Sequence, residues 1–192
     1  MSLFLDLLPN QPKDDSARED FKNILKQRFE AGLADSIERI WDLPPIAVNP
    51  EGEYLALLQE ARQLYLMGSF YSCVAMCGIV GERLIKDVFR ASVMIRNSTG
   101  IQQPSSLSFD QIERVEVRGI TQFLKECMLL SEDAAKAAKD LGDLRNRYAH
   151  ARGKAEQTEA LNAIKLLHVI VEDTVSVFKR FTIKDGVFVP KS

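Results

Sequence analysis

The sequence has few of the residues that mark disulfide-bonded, fibrous or loop-dominated proteins. Its 192 residues include three cysteines, seven prolines, ten glycines and one tryptophan. The cysteines, Cys73, Cys77 and Cys127, are odd in number and form no C-x-x-C pair, so neither a disulfide framework nor a zinc ribbon is indicated. We expect three unligated thiols in or near a core, in a reducing compartment, with no bound metal and no cofactor.

An excess of charge of one sign is also missing. The chain has 25 lysines and arginines against 27 aspartates and glutamates, a net charge of −2. Proteins that coat nucleic acid through bulk charge are strongly basic, so any such contact here must be a local patch. No apolar run approaches the roughly 20 residues that span a bilayer. The apolar segment Met1–Pro9 lacks a basic lead-in and is interrupted by Asp6, so we expect a docking arm, no membrane association and a cytoplasmic protein.

Helical periodicity is what the sequence has in abundance. Apolar residues recur at helical spacing over residues 17–41, 51–67, 69–96, 109–130, 132–152 and 155–181, and these segments predict helices. We expect Asp15 or Ser16 to cap the first helix and Ser131 to cap the fifth. We expect Gly153 to end the fifth helix, and residues 97–108 to form a loop. A D-G pair at 185–186, between two β-like runs, predicts a hairpin with a type I′ turn.

These elements predict an all-α fold: an antiparallel bundle of about five or six helices with a short C-terminal β-hairpin. Residues 1–50 form an N-terminal arm and helix, 51–180 the bundle, and 181–192 the hairpin and tail. The helix over 69–96 is apolar enough to be central. We expect Trp41 and Tyr65 to be core or boundary aromatics and His168 to lie in a core or helix seam. The first helix has apolar residues at helical spacing, which are Phe21, Ile24, Leu25, Phe29, Leu33, Ile37, Ile40 and Trp41.

One window, Leu141–Lys154, differs from the rest of the chain. Between positions 145 and 154 lie four basic residues and no acidic one, together with one of only two histidines. Histidine can take and give a proton near neutral pH, and the arginine fork suits phosphate oxygens. On a helix, Asn146 and His150 share one face and Arg145 flanks it. Arg147, Arg152 and Lys154 could hold flanking phosphates of a nucleic acid strand.

The run Arg145-Asn146-Arg147-Tyr148-Ala149-His150 resembles the signature of the HEPN superfamily: an arginine, a polar residue directly after it, and a histidine after a short gap. The run Tyr54–Phe89 resembles the family's opening helix pair, in which a glycine turn precedes an apolar helix ending in a Glu-Arg-Leu-like segment. This form is similar to a bacterial branch of uncharacterised domains often fused to restriction enzymes. The resemblance covers roughly residues 51–180.

The resemblance implies a metal-independent endoribonuclease acting on single-stranded RNA as a homodimer, with a composite site across the interface. His150 would transfer protons at the ribose 2′-hydroxyl or the leaving oxygen. Arg145 would stabilise charge on the phosphorane-like transition state, and Asn146 matches the polar position. Such a protein would act in defence or as a toxin, with a possible antitoxin or defence partner protein.

Other interpretations of the same residues remain open. The same fold can be a catalytically inactive module that dimerises and binds a protein, a nucleotide or RNA, or a plain helical assembly domain. His150 can be a surface histidine that a helix C-terminus favours. The basic residues can be a solvated helix end, partly paired with Asp140 and Asp143, which lie within helical reach of Arg147 and Arg145 respectively.

Overall fold

The computed structural model describes residues 14–46, 54–98, 100–112, 116–150, 156–175, 181–184 and 187–190. In this part of the chain it has seven helices and two antiparallel hairpins, so the predicted mostly helical fold with a C-terminal hairpin is confirmed, with more helices than expected. The chain divides into two compact units, Met1–Trp41 and Asp42–Ser192. The boundaries after residues 50 and 180 stay a prediction.

Helix α1, Asp15–Asp42, accounts for the described part of the first unit. Its cap is Asp14, whose Oδ1 accepts a hydrogen bond of 2.8 Å from the Ala17 N–H, so the prediction of Asp15 or Ser16 was wrong. The helix buries none of its residues, and Trp41 is 82% exposed. The predicted core or boundary position of Trp41 is therefore wrong. Six apolar positions of the helix, from Phe21 to Trp41, are spaced four residues apart. Each such step turns about 40° around the helix, so together they spread over about 200° and do not collect on one face.

The second unit begins with a helical hairpin. Helices α2, Tyr54–Leu66, and α3, Phe70–Ser92, are joined by Gly68, whose φ of 76° lies in the left-handed region. Glycine takes this conformation without steric cost and commonly ends helices in this way. Helix α3 packs against all four of the other long helices of this unit, which confirms its predicted central place.

A second hairpin follows α3. Strands β1, Ile95–Asn97, and β2, Gly100–Gln102, pair antiparallel, with Ile95 opposite Gln102. The predicted extension of the helix to residue 96 was therefore wrong. Helices α4, Ser106–Ile112, and α5, Val117–Glu126, replace the single predicted helix over 109–130. The sequence between them has neither glycine nor proline, so periodicity alone gave no reason to place a break.

Helix α6, Glu132–Ala149, begins where the sequence indicated. The Ser131 Oγ accepts a 3.1 Å hydrogen bond from the Ala134 N–H, which confirms the cap. Helix α7, Gln157–Thr174, is shorter than predicted, and strands β3, Phe181–Lys184, and β4, Val187–Pro190, form the predicted C-terminal hairpin. Gly153 and the D-G turn lie outside the described residues.

The core lies between α2, α3, α5, α6 and α7 and includes the fully buried Tyr65. Cys73 and Cys77 are buried in it, as predicted, whereas Cys127, the C-cap residue of α5, is exposed. A hydrogen bond with Cys73, together with burial, raises the pKa of the Cys77 thiol. None of the described helices combines the length and apolar character needed to cross a membrane.

Candidate functional site

Helix α6 presents the candidate residues because its other side is anchored in the core. Leu141, Leu144 and Tyr148 are buried, as the apolar spacing predicted. Arg145 is half-buried, while the side chains of Asn146, Arg147 and His150 are exposed. His150 caps the helix, and its backbone N–H donates a 3.2 Å hydrogen bond to the Asn146 carbonyl. The structure thus places Arg145, Asn146 and His150 together on the last two turns of α6, accessible to solvent.

Arg145 is held by two residues of α3. A Cβ at Gly78 would lie 2.5 Å from the Cγ and 2.6 Å from the Cβ of Arg145, so only glycine leaves room for this side chain. Its Nη1 lies 3.6 Å from the Glu82 Oε2. Glu82 also accepts a 2.7 Å hydrogen bond from the Lys86 Nζ. The sequence indicated no role for Glu82, because its contact with Arg145 joins two helices that are far apart in the chain.

Arg147 belongs to a second network, at the start of α7. Its Nη2 lies 3.3 Å from the Glu159 Oε1, and the Tyr148 hydroxyl donates a 2.5 Å hydrogen bond to the Glu159 Oε2. Burial, this hydrogen bond and the negative charge of Glu159 raise the pKa of Tyr148. Tyr71 completes the network, because its hydroxyl donates to the Tyr148 carbonyl and its ring lies 4.9 Å from the Tyr148 ring. Three helices are therefore tied together at the C-terminal turn of α6, and the sequence showed neither Tyr71 nor Glu159.

The predicted pairing of the α6 arginines with Asp140 and Asp143 was wrong. Among the described residues, the partner of Asp143 is Arg118 of α5, at 3.5 Å between Nη2 and Oδ1. Tertiary packing brings Glu82 and Glu159 to the arginines instead, as described above. Arg152 and Lys154, the other two predicted RNA-binding residues, lie outside the described residues.

A groove of about 750 Å³ runs along α6 between α3 and α5. Small residues, including Gly78, Gly81 and Gly142, lie along it, and Arg145 and Asn146 lie at its end. His150 does not line the groove but follows Asn146 by one helical turn. Among the described residues, no three His, Cys, Asp or Glu side chains are grouped to hold a metal ion. His168 is half-buried on α7, in agreement with the expected seam position.

The arrangement offers an imidazole, a guanidinium and an amide beside a groove. An imidazole can exchange protons near neutral pH, and a guanidinium can bind phosphate oxygens through paired N–H donors. Comparison with protein-family models, curated proteins and solved structures gives no match for this chain.

Proposed function

We propose that the protein is a HEPN-type, metal-independent endoribonuclease that acts as a homodimer in a defence or toxin–antitoxin context. The observation that carries the proposal is the joint placement of Arg145, Asn146 and His150 on the last two turns of α6 with accessible side chains. The resemblance of the signature supplies the type of reaction. The same proposal includes a cytoplasmic location of the protein and an antitoxin or defence protein as its partner.

In the proposed reaction, His150 takes the proton of a ribose 2′-hydroxyl or delivers one to the leaving oxygen. The 2′-oxygen forms a bond to the adjacent phosphorus, the bond from phosphorus to the 5′-oxygen breaks, and the leaving oxygen gains a proton. The products are a 2′,3′-cyclic phosphate and a 5′-hydroxyl. Proton transfer by a positioned side chain typically contributes about 10²–10⁴ to the rate.

Arg145 stabilises the negative charge that develops on the phosphoryl oxygens. Its closest contact with Glu82, from Nη1 to Oε2, is 3.6 Å, which is longer than a hydrogen bond. A guanidinium has five N–H donors, so this contact leaves donors for a phosphate. The packing of its aliphatic part on Gly78 fixes where the guanidinium lies, and a fixed donor stabilises developing charge better than a mobile one.

The test is cleavage of a labelled single-stranded RNA in the presence of EDTA. We expect the wild type to cleave and His150→Ala to lose activity by at least about 100-fold. Arg145→Lys, which keeps the charge but loses the fork, should also cleave more slowly. The matched control is His168→Gln, which changes the other histidine and should keep the wild-type rate once its folding is verified by circular dichroism.

The products and the assembly state complete this experiment. A 2′,3′-cyclic phosphate end supports the mechanism, and sedimentation equilibrium should give the mass of a dimer. Unchanged cleavage by His150→Ala would refute the proposed site. Cleavage that requires added metal would refute the metal-independent reaction.

The second candidate is a catalytically inactive module of the same fold, which dimerises and binds a protein, a nucleotide or RNA. It is favoured by the ion pairs of both described arginines of the basic window, Arg145 with Glu82 and Arg147 with Glu159. It is also favoured by the position of His150 outside the groove lining. It predicts no cleavage in any oligomeric state, and binding that survives His150→Ala but weakens when Arg145 and Arg147 are neutralised.

A further inference from the structure

Two lysines in the groove along α6 have no ion-pair partner among the described residues. Lys136 and Lys139 are both exposed and both line the groove. Asp140 and Asp143 lie four residues after them, at the spacing that commonly forms helical ion pairs. The ion pairs found at this groove nevertheless involve other cations.

The reason is that α5 supplies the cations for the carboxylates of α6. The Arg118 Nη2 lies 3.5 Å from the Asp143 Oδ1, and the Lys125 Nζ lies 2.8 Å from the Glu132 Oε1. Both pairs join α5 to α6, and their four residues belong to the lining of the groove. They engage two of the acidic side chains that would otherwise lie beside the lysines, so the charges of Lys136 and Lys139 are available to an external anion.

The shape of the groove favours a chain-like anion. The groove has a volume of about 750 Å³ and is lined by residues of α3, α5 and α6. Of the three glycines in its lining, Gly142 is the one with open space where a side chain would lie. From Lys136 to Asn146 the helix rises about 15 Å, a length that suits a short stretch of polymer. A nucleic acid strand carries one negative charge per nucleotide, and its release of counterions on binding favours grooves that place cations along its path.

We propose that this groove binds the sugar–phosphate backbone of a single RNA strand, with Lys136 and Lys139 contacting phosphates. Asn146 lies at the end of the groove, and from this end the strand continues to His150. The inference rests on the proposed function and deepens it by naming the path of the substrate. It adds a binding segment on the N-terminal side of the signature, whereas the sequence indicated only Arg147, Arg152 and Lys154.

The test measures binding of a fluorescent single-stranded RNA by anisotropy at several salt concentrations. All proteins carry His150→Ala, so that binding is measured without cleavage. Adding Lys136→Gln and Lys139→Gln should weaken binding by about tenfold at low salt. It should also reduce the slope of log K against log salt by about 1.4, since each phosphate contact on a single strand contributes about 0.7.

Two further variants separate local contacts from bulk charge. Lys26→Gln with Lys165→Gln removes the same charge at exposed positions outside the groove lining and should leave the slope unchanged. Lys136→Arg with Lys139→Arg keeps the charge and should bind like the parent. An unchanged thermal midpoint in each variant would verify folding.

The proposal fails if the groove variant and the Lys26/Lys165 control lose the same affinity, because binding then depends on total charge. It also fails if polyglutamate competes as well as RNA does, which would indicate an acidic protein partner. These outcomes are independent of the catalytic proposal. If the wild type cleaves RNA but the groove variant binds like the parent, only the proposed binding groove is refuted. If the groove variant binds more weakly but the wild type cleaves no RNA, only the proposed nuclease activity is refuted.

Discussion

A methyl group added at Gly78 tests the packing of α3 against α6 that fixes Arg145. The new Cβ would lie 2.5 Å from the Arg145 Cγ and 2.6 Å from its Cβ. Unstrained carbon atoms approach to about 3.5–4.0 Å, so the overlap is about 1 Å. The Cβ of Arg145 is attached to the backbone and cannot rotate away, so the two helices must separate.

Gly142→Ala provides the matched control. Gly142 lies inside α6, and a Cβ there would meet nothing within 4 Å. This variant should gain the helix propensity of alanine, about 0.8–1.0 kcal/mol. Gly78→Ala gains the same propensity but loses about 1–3 kcal/mol to overpacking. The free energies of unfolding of the two variants should therefore differ by about 1–3 kcal/mol.

Urea unfolding followed by circular dichroism measures this difference, provided that the slope with denaturant is the same for both variants. RNA cleavage measured on the same samples should fall for Gly78→Ala, since the guanidinium of Arg145 moves with its helix. If Gly78→Ala is as stable as Gly142→Ala, the close approach of α3 and α6 at this point is wrong, and so is our account of how Arg145 is positioned.

Three other predictions concern stability. Met128, at the end of α5, has a φ of 56° and is 91% exposed. Since glycine adopts this left-handed conformation without steric cost, Met128→Gly should raise the free energy of unfolding by about 0.5–1 kcal/mol. No gain in a urea titration would contradict this. Ser131→Ala removes the cap of α6 and should cost about 1 kcal/mol in the same assay, and an unchanged midpoint would show that the cap is unimportant. The pKa of Tyr148 is raised above its ordinary 10.0, so its contribution to stability is fully present below about pH 10 and is lost as the pH rises above it. Urea unfolding at about pH 9 and about pH 11 should show this loss, and Tyr148→Phe should reduce it; an equal loss in that variant would assign the effect to another group.

The sequence predicted those parts of the fold in which one local pattern decides the structure. Ser131 with acidic residues in the following turn marks the start of α6, and the alternating runs around a D-G pair mark the last hairpin. It failed for Trp41 of α1, which the sequence placed in the core or at its boundary. Trp41 is 82% exposed, because the apolar positions of α1 spread around the helix and do not form one face.

In the candidate site too, the sequence predicted what helical spacing determines and did not predict the contacts between distant helices. Helical spacing predicted that Arg145, Asn146 and His150 would be presented together while Leu141 and its neighbours are buried, and the structure agrees. The partners of the arginines could not be predicted from spacing. Glu82 is 63 residues before Arg145 in the chain, and it reaches this side chain only because α3 and α6 pack closely at Gly78.

The central place of α3 has a consequence for how the chain folds during synthesis. Helix α3 packs against α7, the last of the described helices to leave the ribosome. At Gly81, Leu141 of α6 comes nearest, and Ile170 and Leu167 of α7 cover the rest. Before α7 is made, α6 alone can cover this side of α3. Contacts between distant parts of a chain form slowly because loop closure must come first. The nascent bundle therefore exposes part of its central helix until synthesis has passed α7, and exposed apolar surface of this kind favours aggregation.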